Sequence, residues 1–342
     1  MKALFAHGAH DLRLEDCNAV APGPGEVALR MARGGICGSD LHYYHNGGFG
    51  TVKLREPMIL GHEVAGEITA LGEGVEGLAV GDLVAVSPSR PCGTCEQCLR
   101  GLPNQCLNMR FYGSAMPFPH IQGAFREELT ALASQCVKAE GLSAAQAAMA
   151  EPLAVCLHAT RQAGDLLGKR VLITGCGPIG QLCIRAVRQA GAGEIVATDI
   201  FDPALEAATT SGADTTVNTA ADINGFGVYV KGKGYFDVAI ECSGAAIAVN
   251  QAVVGLRPRG TLVQLGLGGS IPVPLTTLTT REISLKGSFR FHEEFATAIA
   301  LMQKGLIDVT PLITHSFPLA DYAKAFITAS DKSRAMKVQL EF

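Results

Sequence analysis

Side chains that bind zinc stand close together near the start of this chain. Cys37 lies within the phrase Cys-Gly-Ser-Asp-Leu-His, and His62 is followed directly by Glu63. Zinc takes thiolate sulfur, imidazole nitrogen and carboxylate oxygen as ligands, and a catalytic zinc keeps only three protein ligands so that its fourth position stays open. Taken alone, Cys37 is more often a buried thiol and His62 a core histidine. The residue types alone therefore do not decide between a catalytic zinc site and ordinary packing of Cys37 and His62 in the core.

A second set of cysteines follows the spacing C-x2-C-x2-C-x7-C in a Pro/Gly-rich stretch for which the sequence predicts no helix or strand interior. Its members are Cys92, Cys95, Cys98 and Cys106. Four thiolates complete a tetrahedral zinc and leave no open position, so the site is predicted to be structural. The alternatives are disulfides, which are rare in reducing cytosol, or free thiols. A nucleic-acid-binding zinc ribbon is disfavoured because Lys and Arg (28) are fewer than Asp and Glu (32).

A glycine-rich turn in the middle of the chain predicts a dinucleotide site. Residues 171–180 read as an apolar strand that runs into G-x-G-x-x-G, followed by a helical pattern over residues 181–190. Such glycines let the backbone approach a pyrophosphate at a helix N-terminus. A second strand ends at Asp199, where a carboxylate can hold both ribose hydroxyls. Since an acid repels a 2′-phosphate and residues 200–230 contain no Arg or Lys, NAD is favoured over NADP.

Length and composition predict two domains and agree with an enzyme. The chain has 342 residues, more than one core usually supports, with 48% hydrophobic and 18% charged residues. The net charge of −4 predicts no polyanionic partner. We find no signal-peptide pattern and no apolar run long enough to span a bilayer, so a cytoplasmic protein is expected. The other cysteines are expected to pack as small hydrophobes: Cys17, Cys136, Cys156, Cys176, Cys183 and Cys242.

The pattern of predicted secondary structure changes near residues 146–152. Before this point, short alternating segments such as 64–68 and 83–86 predict antiparallel strands of a β-rich domain. After it, predicted strands alternate with helices, which favours a doubly wound parallel sheet. The strand candidates are 171–174, 195–198, 214–218, 238–240 and 262–265.

Together these motifs resemble the zinc-dependent medium-chain dehydrogenases, nearly from end to end. The resemblance implies an α/β protein with a GroES-like β-rich catalytic domain (1–148 and 288–342) and a Rossmann domain (149–287). It also implies one catalytic and one structural zinc. Cys37 and His62 would bind the catalytic ion, with Glu63 and Glu151 both near it and either one as the third ligand. Asp40 would orient the imidazole of His62.

Three phrases narrow the resemblance to the polyol branch of the family, namely residues 33–44, 108–120 and 282–291. That branch implies hydride transfer from a secondary alcohol to NAD. The middle phrase favours a sugar acid, with oxidation of L-idonate to 5-keto-D-gluconate, and the alternative is a neutral polyol such as sorbitol, xylitol or threitol. A zinc-free quinone reductase that binds NADPH, or a non-enzymatic binding protein, lacks the set of Cys37, His62 and Glu151.

The resemblance also assigns roles to individual residues. Ser39 and His42 would carry the alcohol proton to solvent through the cofactor ribose. The predicted substrate contacts are Tyr43, Arg110, His120, Glu151 and Arg290, the two arginines being able to pair with a carboxylate. The predicted cofactor contacts are Gly175, Gly177, Pro178, Ile179, Gly180, Asp199, Cys242, Ser243, Gly244, Leu265, Gly266, Leu267, Ser288, Phe289 and Arg290. A small-molecule substrate, no nucleic acid, no membrane and a homodimer or homotetramer are expected.

Overall fold

The structure, a computed structural model, describes residues 1–222 and 225–342. Contacts divide the chain into a first unit, Met1–Glu151 with Phe295–Phe342, and a second unit, Pro152–Glu294. The boundaries between the units, after Glu151 and after Glu294, differ by a few residues from the predicted boundaries after 148 and before 288. Glu151 stays with the first unit because it is buried beside His62 and Glu63. The second unit continues to Glu294 because this carboxylate binds His158 (3.1 Å) and Arg161 (3.0 Å).

Short β-strands dominate the first part of the first unit. Its strands are β1 (Lys2–Gly8), β2 (Asp11–Asp16), β3 (Glu26–Gly35), β4 (Gly48–Phe49), β5 (Val52–Lys53), β6 (Met58–Ile59), β7 (Glu63–Leu71), β8 (Leu83–Val86), β9 (Ser89–Arg90), β10 (Arg110–Phe111), β11 (Glu128–Leu132) and β12 (Cys136–Lys138). Its helices are α1 (Gly38–Asn46), α2 (Glu96–Leu99) and α3 (Ala144–Ala148). Ser143 caps the N-terminus of α3, because its hydroxyl accepts from Gln146 N while the Gln146 side chain accepts from Ser143 N.

Helix α4 (Ala150–Ala163) leads into the second unit, where six strands alternate with helices. The strands are β13 (Arg170–Thr174), β14 (Glu194–Asp199), β15 (Thr215–Asn218), β16 (Phe236–Glu241), β17 (Leu256–Gln264) and β18 (Ser284–Gly287). The helices are α5 (Pro178–Gln189), α6 (Asp202–Ser211), α7 (Ala246–Gly255) and α8 (Leu275–Thr280). All pairs in the order β15-β14-β13-β16-β17-β18 are parallel, so the predicted doubly wound sheet is confirmed.

The last part of the chain is α9 (Glu294–Gln303), β19 (Ile313–Pro318), α10 (Tyr322–Ser330) and β20 (Lys337–Glu341). Strand β20 pairs antiparallel with β3 in a seven-stranded sheet of order β12-β8-β7-β3-β20-β19, with β11 also on β3. Strand β3 buries alternate residues, Val27, Leu29 and Met31, against this unit's core. The carboxyl end of β3 is thereby fixed between two neighbours, β7 and β20.

All five predicted strands of the parallel sheet are present, but the sequence missed β18. Its four residues are all exposed, and Ser-Leu-Lys-Gly has no apolar run to mark a strand. Strand β17 begins at Leu256, earlier than predicted, but residues 257–260 interrupt its pairing with β16, and Arg259 there has a φ of 63°. Helix α5 begins at Pro178 rather than residue 181, since proline is favoured at the first helical position. No helix in the described parts of the chain has both the length and the apolar character needed to cross a membrane.

Candidate metal centres and cofactor site

The ends of β3 and β7 bring three candidate metal ligands together. Gly35 of β3 pairs with Glu63 of β7, so Cys37 and His62 lie beside the same sheet edge. The ligand atoms of Cys37, His62 and Glu63 all lie within 4.8 Å of one another. A Cβ at Gly35 would stand 2.1 Å from Glu63 Oε2, so a glycine is needed to make room for the carboxylate. The three residues fit a zinc that keeps one open position.

The surroundings of the thiol favour a bound cation. Burial, and then the charge of Glu63, raises the pKa of Cys37 to about 12. His62 and Glu63 are buried as well, at 4% and 1% exposure. A coordinated thiol is deprotonated outright by the metal, and a divalent cation also offsets the carboxylate charge. The donor set is therefore suited to zinc.

Glu151, at the start of α4, lies beside this cluster without being one of its three close members. It is 6% exposed, and burial raises its pKa to about 8, with the nearby His62 opposing and Glu63 and Cys37 reinforcing the shift. Glu63 is thus the carboxylate placed with the cysteine and histidine ligands. Glu151 is a buried neighbour of the cluster, and its contact with zinc or substrate stays a prediction.

Lys337 belongs to this site and was missed by sequence analysis. Its Nζ donates to both oxygens of Glu63 (2.8 and 2.7 Å) and to the Ile36 carbonyl (3.4 Å). The residue is 3% exposed, and although burial lowers its pKa, the facing Glu63 and Cys37 shift that pKa upward overall. Strand β20 pairs with β3 and so brings Lys337 to Glu63, which is 274 positions away in the chain. The one sequence signal is a lysine within the apolar strand Met-Lys-Val-Gln-Leu.

The role predicted for Asp40 needs correction. Its carboxylate accepts hydrogen bonds from Cys37 N (3.0 Å) and Gly61 N (3.1 Å). His62 Nδ1 lies 3.8 Å from Asp40 Oδ1, an ion-pair distance but too long for a hydrogen bond, and this buried ring atom has no hydrogen-bond partner among the described residues. Asp40 therefore positions the backbone at Cys37 and at Gly61, because both of these amides donate hydrogen bonds to its carboxylate oxygens.

Helix α1 carries the residues predicted for proton transfer and one predicted for substrate. Ser39 is half-buried and His42 exposed, three positions apart and so on one face of the helix. Burial, and then Lys332, lowers the pKa of His42. Tyr43 is 2% exposed and packs in the core, where its hydroxyl accepts from Ala115 N (3.0 Å). Tyr43 is thus mostly buried, and its substrate contact stays a prediction.

The two further predicted substrate residues, His120 and Arg110, differ in their exposure to solvent. His120 is buried, with Nε2 accepting from Arg55 N (2.9 Å) and Nδ1 donating to the Pro117 carbonyl (2.9 Å). Both ring nitrogens of His120 are therefore engaged by backbone groups, one of Arg55 and one of Pro117, which argues against a substrate contact. Arg110 is exposed, and the ring of the adjacent Phe111 lies 5.6 Å from the His62 ring. Arg110 thus remains a candidate near the metal cluster.

The second cysteine set is brought together by a compact loop between β9 and β10. The sulfur atoms of Cys92, Cys95, Cys98 and Cys106 lie within 4.8 Å of one another. Backbone amides of Cys92 and Asn108 donate to the Cys106 sulfur (3.2 and 3.3 Å), and Leu107 N donates to the Cys95 sulfur (3.5 Å). Amide donors of this kind stabilise thiolates, so the loop fits a closed structural zinc.

One expectation about this loop is wrong. Cys98 lies in the single-turn helix α2, with Cys95 at its N-cap, whereas no helix was predicted. One helical turn matches the three-residue spacing of Cys95 and Cys98, and it aims both sulfurs at the same point. The Pro/Gly-rich composition concealed a turn this short.

We expect Cys95→Ser to act on stability. Removing one of four thiolates weakens zinc binding, and in a closed site that binding energy is coupled to folding. Zinc content should fall from about two to about one per chain, and the melting temperature by several degrees. Cys17→Ser, a half-buried cysteine outside both clusters, is the matched control. An unchanged zinc content and melting temperature would contradict a structural zinc.

The glycine-rich turn between β13 and α5 has the shape a pyrophosphate requires. Gly175 has a φ of 82°, and a Cβ at Gly180 would lie 1.9 Å from the Gly175 carbonyl, so neither position tolerates a side chain. By contrast, a Cβ at Gly177 would meet nothing within 4 Å, which leaves the outer side open to a ligand. Pro178 and Ile179 begin helix α5, whose N-terminal amides favour an anion.

Asp199 ends the neighbouring strand β14 and is tied to this turn. Its carboxylate accepts from Cys176 N (2.6 Å), Ile200 N (2.7 Å) and Phe201 N (3.0 Å). The carboxylate is half-buried and fixed next to the glycine-rich turn, where a ribose would follow the pyrophosphate. Asp199 thus ends its strand beside the glycine-rich turn, and its contact with the ribose stays a prediction.

The remaining predicted cofactor residues follow β16, β17 and β18, and parallel strands bring these ends to one edge of the sheet. They are Cys242, Ser243, Gly244, Leu265, Gly266, Leu267, Ser288, Phe289 and Arg290. The Ser288 hydroxyl is buried without a hydrogen-bond partner among the described residues, as expected for an atom that serves a ligand. Arg290 has a φ of 57°, and its guanidinium lies 4.8 Å from the Phe289 ring.

Comparisons with known proteins match both units. Residues 23–141 match the family described as "Alcohol dehydrogenase GroES-like domain", and residues 178–304 match "Zinc-binding dehydrogenase". The chain belongs to the zinc-binding dehydrogenases. The fold class and the family resemblance inferred from the sequence are thereby confirmed.

This zinc-binding dehydrogenase is similar to L-idonate 5-dehydrogenase (NAD(P)(+)) of Escherichia coli strain K12, at 45% identity over 316 residues that cover 92% of this chain and 91% of that protein. The crystal structure of L-idonate 5-dehydrogenase from Escherichia coli K-12 matches it with a TM-score of 0.95 and 42% identity, covering 100% of this chain and 98% of that one. Sorbitol dehydrogenase of Bos taurus is 36% identical over 345 residues, covering 99% and 95%. The protein is thus a zinc-dependent oxidoreductase of the polyol dehydrogenase group.

Proposed function

We propose that this dehydrogenase oxidises a secondary alcohol of a six-carbon sugar acid with NAD, converting L-idonate to 5-keto-D-gluconate. The observation that carries the proposal is the cluster of Cys37, His62 and Glu63, a three-ligand set with room for one more group. The similarity to an L-idonate 5-dehydrogenase supports the substrate class. The alternative substrate is a neutral polyol, supported by the similarity to sorbitol dehydrogenases.

Each residue of the metal cluster has a separate task. Cys37, His62 and Glu63 would hold zinc, which when bound supplies the Lewis-acid chemistry that lowers the pKa of an alcohol hydroxyl. Lys337 donates to both carboxylate oxygens of Glu63. Asp40 accepts from the backbone amides of Cys37 and Gly61 and so holds the two segments that carry the ligands. Glu151 is left to contact a substrate hydroxyl. Ser39 and His42 would lead the alcohol proton outward, since the lowered pKa of His42 keeps its imidazole neutral and able to accept.

The two substrate classes are separated by initial rates. L-Idonate, sorbitol, xylitol and L-threitol are each assayed with NAD at pH 7–8 as an approximate working range. We expect L-idonate to give the highest kcat/KM. A neutral polyol with a higher kcat/KM than L-idonate would replace the sugar-acid proposal by the polyol alternative.

The fixed carboxylate of Asp199 supports NAD as the preferred cofactor. Asp199→Ala should narrow the preference for NAD over NADP, because it removes both the acceptor for ribose hydroxyls and the repulsion of a 2′-phosphate. We expect kcat/KM for NAD to fall about tenfold, the equivalent of roughly 1.4 kcal/mol. Asp202→Ala, an exposed carboxylate three residues further on, is the control. Equal kcat/KM values for NAD and NADP in the unmodified enzyme would contradict the preference.

Arg290 is the candidate partner for the substrate carboxylate, ahead of Arg110. Replacing a cation that pairs with a buried charge costs about 2–5 kcal/mol. Arg290→Ala should therefore lower kcat/KM for L-idonate by a factor on the order of a hundred, and lower it less for sorbitol. Arg259→Ala is a matched control, since Arg259 also has a positive φ (63°) but is exposed. Equal losses with both substrates would show that Arg290 does not recognise the carboxylate.

We also propose that the enzyme is a cytoplasmic homodimer or homotetramer. Its eleven cysteines are all free, which suits a reducing compartment. Strand β18 ends the parallel sheet with four exposed residues, including a half-exposed Leu285, and an open sheet edge can pair with a second copy. Light scattering of the purified protein would distinguish the two assemblies.

A further inference from the structure

A fully buried carboxylate in the second unit takes no part in the function proposed above. Glu241 is the last residue of β16 and is 0% exposed. Its neighbours on the sheet are Thr174 of β13 and Gln264 of β17, each also the last residue of its strand. Glu241 therefore stands at the centre of the sheet edge from which the proposed cofactor loops emerge.

The Glu241 side chain binds the loop that follows its own strand. Oε1 accepts from Ser243 N (2.8 Å) and from the Ser243 hydroxyl. Both oxygens accept from Gly244 N, at 3.0 and 2.9 Å. The carboxylate thus accepts from both backbone amides and from the serine hydroxyl of two successive residues that are proposed cofactor contacts.

The same residue also binds the loop that follows β17. Oε2 accepts from Gln264 Nε2 (2.6 Å), which donates in addition to the Gly266 carbonyl (2.8 Å). The Glu241 main-chain carbonyl accepts from Leu265 N (2.9 Å) and Gly266 N (2.8 Å). One glutamate therefore connects two separate cofactor loops.

The loops that follow β16 and β17 pack against each other so closely that neither can shift alone if Glu241 is replaced. A Cβ at Gly266 would lie 2.2 Å from Gly244 N and 2.7 Å from Glu241 Oε2. A Cβ at Gly175 would lie 2.8 Å from the Ser243 Cβ, so the glycine-rich turn rests on the same loop. A displacement at Ser243 or Gly244 is consequently passed to Gly175.

We infer that Glu241 is a positioning residue for the dinucleotide, acting through Ser243, Gly244 and Gly266. The inference rests on the proposed function, in which these loops contact the cofactor. A carboxylate is required because it only accepts hydrogen bonds, and donors from both loops converge on it. A glutamine of the same shape would turn an NH₂ group toward at least one of these donors and leave that donor unpaired in a buried place.

The test is Glu241→Gln, compared with Asp237→Asn on the same strand. Asp237 is a partly buried carboxylate (9% side-chain exposure) near the opposite end of β16, where it accepts from Arg170 N (2.8 Å). We expect Glu241→Gln to raise the Kd for NADH and the KM for NAD about tenfold, with kcat at saturating NAD and zinc content close to unmodified values. Asp237→Asn should lower the melting temperature and leave both cofactor constants unchanged.

A second variant keeps the test decisive if Glu241→Gln fails to fold. Gln264→Met removes the bridge between Glu241 and Gly266 without placing a new donor, and should raise the Kd for NADH about threefold. NADH affinity equal to that of the unmodified protein in either folded variant would overturn the inference. Failure of the unmodified protein to bind NADH would instead contradict the proposed function, so the two failures are distinguishable by fluorescence titration.

Discussion

Cys37→Ala and His62→Ala should each abolish turnover in a protein that remains folded. Zinc in an open site acts on chemistry more than on stability, and its Lewis-acid contribution is worth several kcal/mol. At about 1.4 kcal/mol per tenfold, kcat should fall by a factor on the order of a thousand or more. Zinc content should drop from about two to about one per chain, since the loop of four cysteines is untouched. Circular dichroism and elemental analysis accompany the rate measurement.

The control for this prediction is Cys136→Ala. Cys136 is a partly buried thiol of the same unit whose pKa burial raises to about 12, and it lies outside both metal clusters. It should keep both zinc ions and a kcat near that of the unmodified enzyme. Retention of near-normal kcat by either Cys37→Ala or His62→Ala would show that the reaction does not depend on this zinc.

The candidate site could be predicted from the sequence where its residues are neighbours in the chain. His62 and Glu63 adjoin each other, and the four cysteines share one loop of 15 residues. Motifs of this kind are short because one turn or one strand end must aim several ligands at one point. The Gly-x-Gly turn and Asp199 were predictable for the same reason, since consecutive βα units place them at one sheet edge.

Residues that approach the site from distant strands could not be predicted in this way. Lys337 reaches Glu63 only because β20 pairs with β3, and strand pairing across some 300 residues leaves no local pattern. For His120 and Tyr43, backbone groups of Arg55, Pro117 and Ala115 contact the polar side-chain atoms, and such hydrogen bonds become visible only in three dimensions. Their substrate contacts stay predictions.

The same distinction applies to the fold. Strands with continuous apolar runs, such as β13 and β16, were predicted because both faces of a parallel sheet are buried. Strand β18 could not be predicted because it is an edge strand with no buried residue. Helix α2 escaped because a single turn cannot display helical periodicity.

Lys337→Met should destabilise the metal-free protein strongly and the zinc-loaded protein much less. Removing one partner of a buried ion pair leaves the other charge uncompensated, which costs about 3–5 kcal/mol. Glu63 would be that charge, at 1% exposure and beside Glu151 and Cys37. Zinc at the cluster supplies positive charge in place of the lysine, so binding of the ion should recover much of the loss. Denaturant unfolding with and without a chelator measures both states.

Two comparison variants separate loss of charge pairing from loss of packing. Lys138→Met removes an ion pair of similar length to Asp82 (2.8 Å) in the same unit, but an exposed one, and should cost about 1 kcal/mol or less. The double variant Lys337→Met/Glu63→Gln removes both buried charges and should be more stable without metal than Lys337→Met alone, because no unpaired carboxylate remains. If the double variant were the less stable of the two, packing of the lysine stem would account for the effect. Lys337 would then support the sheet without controlling the carboxylate that completes the zinc site.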